Sequence, residues 1–434
     1  MRERPVTCGL LGCGTVGGGV VRLLTRDPAK VTRRVGVPIE IRRVLVRDLG
    51  KARVPELDGR LLTTDASEVL DDPDIEMVIE VMGGAEPTLD HLMRAIDAKK
   101  GVVTANKLLL ATAGKQLLER AQAAGVDLAF EGAVGGGVPI VRTLREALAS
   151  DRVESITGIV NGTSNYVLTR MLDAGLSLDD AVAEAQARGY AEADPTMDVG
   201  GGDAAQKLSI LAMLGFGAAA DYADLHVEGI QAIAPIDHRF AERFAYRIKH
   251  LAIGRDHGDE VELRVHPCLL PQRSVLANVD GVLNAVTLTG EALGPCLVSG
   301  QGAGDLPTAV SVVSDALDVA RSLVAGVAGL QTRAIAYEAR PLRAMAAIET
   351  RYYIRFTVLD EPGVIAAIAG RLGDAGVSIE QLVQDGPRPE PGEPATVVML
   401  THRAREGAVQ AALGALREAT FMVEPARLLR IEEP

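Results

Sequence analysis

Residues 6–24 read VTCGLLGCGTVGGGVVRLL, and this stretch decides the first domain. Val6-Thr7-Cys8-Gly9-Leu10-Leu11 is a short apolar run of the kind that forms a buried strand. It leads at once into Gly12-Cys13-Gly14-Thr15-Val16-Gly17, after which Val20, Val21, Leu23 and Leu24 recur at helical spacing. A GxGxxG between strand and helix is a dinucleotide-binding signature. The first glycine allows the tight turn, the second admits a pyrophosphate, the third lets helix and strand pack closely, and the helix start offers amide donors. The bland alternative is a merely tight strand-to-helix turn.

Outward from this stretch, the same alternation continues. A second strand is expected over 39–46, with Arg47-Asp48 at its tip and Lys51 and Arg53 following. A carboxylate there would bond a ribose hydroxyl, whereas cationic side chains would hold a 2′-phosphate, so NADP is expected, with NAD open. Further strands are expected over 75–81, ending at Gly83-Gly84, and over 102–104, ending in Ala105-Asn106-Lys107. Helices are expected over 89–98 and 108–124. Lys107 thus sits at a strand's carboxyl end, where open α/β sheets bind ligands; it can equally be a solvated loop lysine. A strand over 128–131 then runs into the glycine-dense loop 132–139, which either brings backbone groups to a ligand or serves as a hinge.

Beyond 150 the organisation changes to α+β. A strand over 153–160 precedes the polar turn Asn161-Gly162-Thr163-Ser164-Asn165, which reads as a helix cap, and a helix over 178–188 precedes GYAEADPTMDVGGGDAAQKL, residues 189–208. That passage crowds Glu192, Asp194, Asp198, Asp203 and Lys207 together. Pro195 and Gly200-Gly201-Gly202 forbid one continuous helix, so the first three carboxylates are expected on an irregular segment and Asp203 as the N-cap of a new helix. Asp203 and Lys207 then share a helix face at i, i+4. A lone surface pair of this kind contributes about 0.3–0.5 kcal/mol; the neighbouring carboxylates and the nucleotide signature favour an active site. Strands over 249–253, 261–265 and 285–288 follow. Residues 297–307 repeat the strand, glycine-loop, helix pattern and read either as a second anion-facing helix start returning to the nucleotide domain or as a turn capped by Asp305. After a connector, the pattern over 351–432 is βαββαβ, a small independent domain with a Pro-rich loop at 385–394.

Composition narrows the function class. The chain has 434 residues, 47% of them hydrophobic, and a net charge of -13. That charge argues against nucleic acid or an anionic membrane as partner and leaves small molecules. Cysteines at 8, 13, 268 and 296 show no CxxC spacing, which fits a reducing cytoplasm. No run is apolar and long enough for a signal peptide or membrane span.

Seven motifs carry a resemblance that covers the whole chain: GLLGCGTVGGGV, VMGG, TANK, EGAVGGGVPI, NGTSNYVLTRM, GYAEADPTMDVGGGDAAQKL and SGQGAGDLPTA. Together they resemble the monofunctional homoserine dehydrogenases with a C-terminal ACT domain. The resemblance implies an α/β chain with a Rossmann-type dinucleotide-binding domain (1–135, completed by 303–325), an α+β substrate and dimerisation domain (136–302), a connector (326–350) and a ferredoxin-like ACT domain (351–432). It implies NAD(P)-dependent interconversion of L-homoserine and L-aspartate 4-semialdehyde in a homodimer or homotetramer. Lys207 would be the acid/base lysine, supported by Asp198 and Asp203, with Lys107 between cofactor and substrate. Glu192, Tyr190 and Thr163 would hold substrate. Gly12, Gly14, Thr15, Val16, Gly17, Arg47, Gly84, Thr104 and Gly302 would meet the cofactor. Glu131, Val134, Gly136 and Val138 would offer oxygens to a monovalent cation such as Na+. The DEPGV segment resembles an ACT corner and implies threonine feedback. Two rival classes are a phosphorylating semialdehyde dehydrogenase, for which Cys268 and Cys296 show no activating partner in sequence, and a non-enzymatic nucleotide-linked amino-acid sensor, which would not need the set Glu192, Asp198, Asp203 and Lys207.

Overall fold

The computed structural model describes residues 4–333, 337–385 and 394–433; the Pro-rich loop expected at 385–394 lies, apart from its end residues, outside them. Six parallel strands stand side by side in the order Leu62–Thr63, Ile39–Leu45, Val6–Leu11, Met77–Glu80, Gly101–Thr104, Leu128–Ala129. Helices cover both faces, which is why the inner strands read as unbroken apolar runs. The order reverses between the strands at Val6 and Met77, and the crevice at their carboxyl ends is where such sheets take ligands. The helix Asp305–Ala325 returns, as one reading of the sequence expects, and lies along the first helix, Thr15–Arg26. A Cβ on Gly19 would come within 2.8 Å of the Ala309 Cβ, so Gly19 is what lets the two helices close up. Gly304, not Asp305, is the N-cap of this helix; Asp305 instead pairs with Arg22 at 2.7 Å.

The second sheet is mixed. Its path runs Gly294–Gln301, Leu283–Gly290, Val153–Ile159, Tyr246–Asp256, Val261–Pro271, Arg427–Ile431, Glu349–Leu359, Pro394–Thr401, Ile379–Asp385. The last four strands, with helices Val364–Asp374 and Glu406–Leu416, form the expected βαββαβ unit. It is not independent. Cys268 and Leu269 pair in parallel with Arg430 and Ile431, which joins the two domains' strands into one sheet. Buried ion pairs tighten the seam: Arg264, 1% exposed, lies between Glu262 at 2.7 Å and Glu432 at 2.8 Å, and Arg430 lies between Glu406 at 2.6 Å and Glu228 at 2.7 Å. Asp237, on the helix Pro235–Arg243, accepts from Arg355 and from the Tyr353 hydroxyl, at 2.7 and 2.9 Å. The face of the C-terminal sheet turned away from its own helices is therefore covered by the middle domain.

Candidate active site

The passage 189–208 folds into a loop, one turn of helix at Thr196–Val199 and the helix Gly202–Phe216. Gly201 joins the last two at φ 87°, and a Cβ there would press on Val227 and His250. This corrects the sequence reading in two places. Asp198 sits on a short helix, not on irregular chain, and Asp203 is not the N-cap, because Gly201 is. The Asp203 side chain is turned inward instead, where charged donors bind it more strongly than a backbone amide would.

Asp203 is 5% exposed and is the hub of the site. One carboxylate oxygen accepts from Lys207 Nζ at 2.7 Å and from Asn161 Nδ2 at 2.8 Å. The other lies 2.9 Å from Lys107 Nζ. Burial works to raise the pKa of Asp203, but the two ammonium groups overcome it and hold the carboxyl well below the usual range. Lys207 donates its second bond to the Val160 carbonyl at 2.7 Å, and that carbonyl also accepts from Asn284 at 3.0 Å. Asp198 accepts from the other proton of the Asn161 amide at 2.7 Å. Burial, followed by the charge of Asp203, keeps the Asp198 carboxyl above its ordinary value despite that bond. The charge of Asp203 likewise raises Lys107.

These groups floor a cleft of about 940 Å³. Its walls carry Val16, Glu80, Met82, Gly83, Gly132, Gly136 and Gly302 on the nucleotide side and Thr163, Tyr190 and Glu192 on the other. Thr163 donates to the Tyr190 carbonyl at 2.7 Å, and Gln186 pins the Glu192 carbonyl at 3.0 Å, so loop 189–192 is held over the cleft with the exposed Glu192 side chain at the rim. Asp194, read with the other carboxylates, is absent from the lining. It is exposed and caps the next turn through Thr196.

The glycine turn fits a dinucleotide. A Cβ on Gly12 would strike Met82 at 2.8 Å and one on Gly17 would strike the Gly12 carbonyl at 2.4 Å, whereas Gly14 opens onto free space. Gly14 is also the N-cap of the helix that begins at Thr15 and Val16, and no side chain caps it, so the amides there are available to an anion. Arg47 is exposed at the tip of the second strand as expected. Arg53, named in the sequence beside Arg47, donates to the Asp48 carbonyl at 3.1 Å. It also stands close enough to Cys13 to oppose the upward push of burial on that thiol. Thr104 does not reach the cleft. It is fully buried, and its hydroxyl bonds the Glu80 carboxylate at 2.5 Å. Glu80 lines the cleft in its place and anchors the Met82 and Gly83 amides at 2.8 and 2.9 Å. Asn106, the N-cap of the helix carrying Lys107, donates to the Gly84 carbonyl at 2.7 Å. The sequence signalled Asn161 only as part of a helix cap and Asn106 only as part of a strand end, and the roles of Val160, Asn284 and Glu80 had no local signal.

The loop 131–138 packs against Gly302, where a Cβ on Gly136 would meet the Gly302 carbonyl at 2.5 Å. The Glu131 carboxylate accepts from the Val141 and Arg142 amides at 3.0 and 2.7 Å, and the Gly136 carbonyl accepts from the Ser311 hydroxyl at 2.7 Å. Val134 and Val138 are buried there. Among the described residues, no helix is long and apolar enough to cross a membrane.

Comparison with known proteins gives three family matches: "Homoserine dehydrogenase, NAD binding domain" over residues 12–131, "Homoserine dehydrogenase" over 139–317 and "ACT domain" over 352–419. The homoserine dehydrogenase of Bacillus subtilis is 41% identical over 429 residues, spanning 99% of both chains. That of Pseudomonas aeruginosa is 39% identical over 436 residues, with 99% of each chain covered. A crystal structure of a homoserine dehydrogenase from Thiobacillus denitrificans superposes with a TM-score of 0.92 at 43% identity, covering 99% of each chain. A hyperthermophilic archaeal homoserine dehydrogenase in complex with NADPH shares the fold over 73% of this chain and 98% of its own, with a TM-score of 0.62 at 24% identity.

Proposed function

Because the chain belongs to the homoserine dehydrogenase family, nicotinamide-dependent oxidoreductases acting on a CH–OH group, we propose that it interconverts L-homoserine and L-aspartate 4-semialdehyde at the cleft built around Asp203. The observation that carries this is the single buried carboxylate holding two lysines, Lys107 and Lys207, 2.9 and 2.7 Å away, in a cleft shared with the glycine-rich nucleotide wall. A bound nicotinamide dinucleotide supplies or accepts the hydride. Gly12, Gly14, Thr15, Val16 and Gly17 would hold its pyrophosphate, with Gly83, Gly84 and Gly302 along its path.

Lys207 gives a proton to the alkoxide oxygen that develops as the aldehyde carbon is reduced. Asp203 aims the ammonium, and Lys107 completes the charge balance on the cofactor side. In the reverse direction Lys207 takes the hydroxyl proton and must first be neutral. Glu192 at the rim pairs with the substrate ammonium, and Thr163 and Tyr190 close the pocket. Asp198 adds negative charge beside Asp203 and Lys107. The sensor alternative has no use for a carboxylate bridging two lysines, and the thiol alternative fails on Cys268, which is fully buried with its thiol pushed well up by burial.

NADP is the preferred cofactor in this reading, supported by Arg47 at the strand tip and Arg53 beside the glycine turn. A monovalent cation at loop 131–138 would be held by main-chain oxygens of Glu131, Val134, Gly136 and Val138, since the Glu131 carboxylate is bound to two amides. The domain division is the one drawn from the sequence, with 303–325 completing the nucleotide domain. Val275, Leu293 and Leu297, which are 63%, 59% and 41% exposed, support dimerisation through the middle domain. The free state of all four cysteines supports a cytoplasmic place in the threonine, methionine and isoleucine branch. Threonine acts on the ACT corner, where Gly363 at φ 95° starts the helix Val364–Asp374.

Rates of reduced-nicotinamide oxidation with aspartate semialdehyde test the reading. NADPH should be oxidised faster than NADH, and Lys207→Ala should abolish turnover while cofactor affinity stays; a mutant with wild-type turnover refutes the assignment. Inhibition by millimolar threonine, weakened when Gly363 is replaced while kcat is kept, tests the regulatory part; uninhibited wild-type enzyme contradicts it.

A further inference from the structure

Two carboxylates of like charge, Asp198 and Asp203, share one end of the cleft and come from different segments. What joins them is a neutral side chain. Asn161, 5% exposed, ends the strand Val153–Ile159 two residues on and caps the helix Gly162–Ala174, its Oδ1 accepting from the Ser164 amide at 2.8 Å. With the oxygen fixed by that bond, the NH₂ group must face the carboxylates, and its two protons go one to each, at 2.7 Å for Asp198 and 2.8 Å for Asp203. The amide bonds the same Asp203 oxygen that holds Lys207, so it fixes the carboxylate plane and leaves the other oxygen to Lys107.

Resting on the reading of the site given above, we infer that Asn161 is a positioning residue for the proton-donating lysine, a clamp that joins Asp198 to Asp203 and orients Asp203 between Lys207 and Lys107. The cap and the clamp are separable. Serine caps a helix about as well as asparagine, but one short hydroxyl cannot supply both carboxylates. Asn161→Ser should therefore keep the fold and the cofactor KM while kcat falls on the order of 10–100-fold, the usual consequence of a reacting group left about 1 Å out of place.

The pH profile distinguishes this from a structural role. The charged groups facing Asp198 are Asp203 and Lys207 on the long helix and Lys107 on the helix Lys107–Ala124. The Asn161 bond opposes protonation of Asp198, so removing it should move the acid limb of kcat/KM to higher pH. Asn161→Asp keeps shape and cap but sets an acceptor against two carboxylates. It should lose more activity at alkaline than at acidic pH, where a shared proton restores the bridge. Wild-type kcat and an unmoved acid limb in Asn161→Ser overturn the inference, as does an activity loss equal at every pH and matched by loss of stability. If wild-type protein leaves NADPH unoxidised by the semialdehyde, the reading of the site fails with it; if the wild type turns over and Asn161→Ser keeps pace, the clamp alone fails.

Discussion

Replacing Lys207 with methionine should separate chemistry from stability. The ammonium lies 2.7 Å from both the Asp203 carboxylate and the Val160 carbonyl, on a side chain 10% exposed. Breaking a buried ion pair commonly costs about 3–5 kcal/mol, because the abandoned partner is left uncompensated. Here neither partner is abandoned. Asp203 keeps Lys107 at 2.9 Å and Asn161 at 2.8 Å, and the Val160 carbonyl keeps Asn284 at 3.0 Å. The loss is then nearer that of one charged hydrogen bond, about 1.5–3 kcal/mol, and the methionine stem preserves the packing. Turnover should fall by about 10²–10⁴-fold, the contribution of a positioned general acid, equivalent to about 2.7–5.4 kcal/mol of barrier. Initial rates of NADPH oxidation, cofactor KM and a urea unfolding curve measured on the same preparation give all three quantities. A kcat within tenfold of wild type, or a stability loss as large as that of a fully broken pair, would refute the assignment of Lys207 as donor with Asp203 as shared hub.

Asp203→Asn should be the opposite case, since it leaves two ammonium groups without their counter-charge. It should cost about 3–5 kcal/mol as well as turnover, and a urea midpoint equal to wild type would contradict it. The pH dependence follows from the signs. Asp203 titrates below its unfolded value, so its stabilisation is full above about pH 4 and is lost as pH falls toward the folded value; the acid-unfolding curve of Asp203→Asn should lack that contribution. Asp198 titrates above its unfolded value, so the acid limb of kcat/KM should lie above the ordinary aspartate range and disappear in Asp198→Asn. Truncation after residue 350 would strip Glu432 from Arg264 and Arg355 from Asp237, so the shortened chain should fail to fold, and a soluble, active truncation would show that the seam is dispensable. Arg53→Ala should raise KM for NADPH more than for NADH; equal effects would remove Arg53 from phosphate recognition.

The nucleotide half was legible because each of its parts is local: apolar strand, glycine turn, amphipathic helix. The adjacency of Asp203 and Lys207 was legible too, as an i, i+4 spacing. Lys107 could be placed at a strand end, yet nothing in its neighbourhood showed that it reaches the far oxygen of Asp203, because the contact joins two domains. The N-cap assignment failed for a related reason. Asp203 has the residue type of a cap, but Gly201 takes the left-handed turn and frees the aspartate for stronger partners. Asn161 was read correctly as a cap, which accounts for its oxygen and leaves its two protons to be found in the fold. The joined sheet rests on a pairing of Cys268-Leu269 with Arg430-Ile431, too short to leave a periodic trace, and so the C-terminal unit read as separate.

The most direct test of the account follows the hydride itself. Protein given aspartate semialdehyde and NADPH deuterated at the transferable position should yield homoserine carrying deuterium on the hydroxyl-bearing carbon, and Lys207→Met should yield almost none in the same time. Unlabelled homoserine, or cofactor oxidised with no homoserine formed, would contradict direct transfer in the cleft around Asp203.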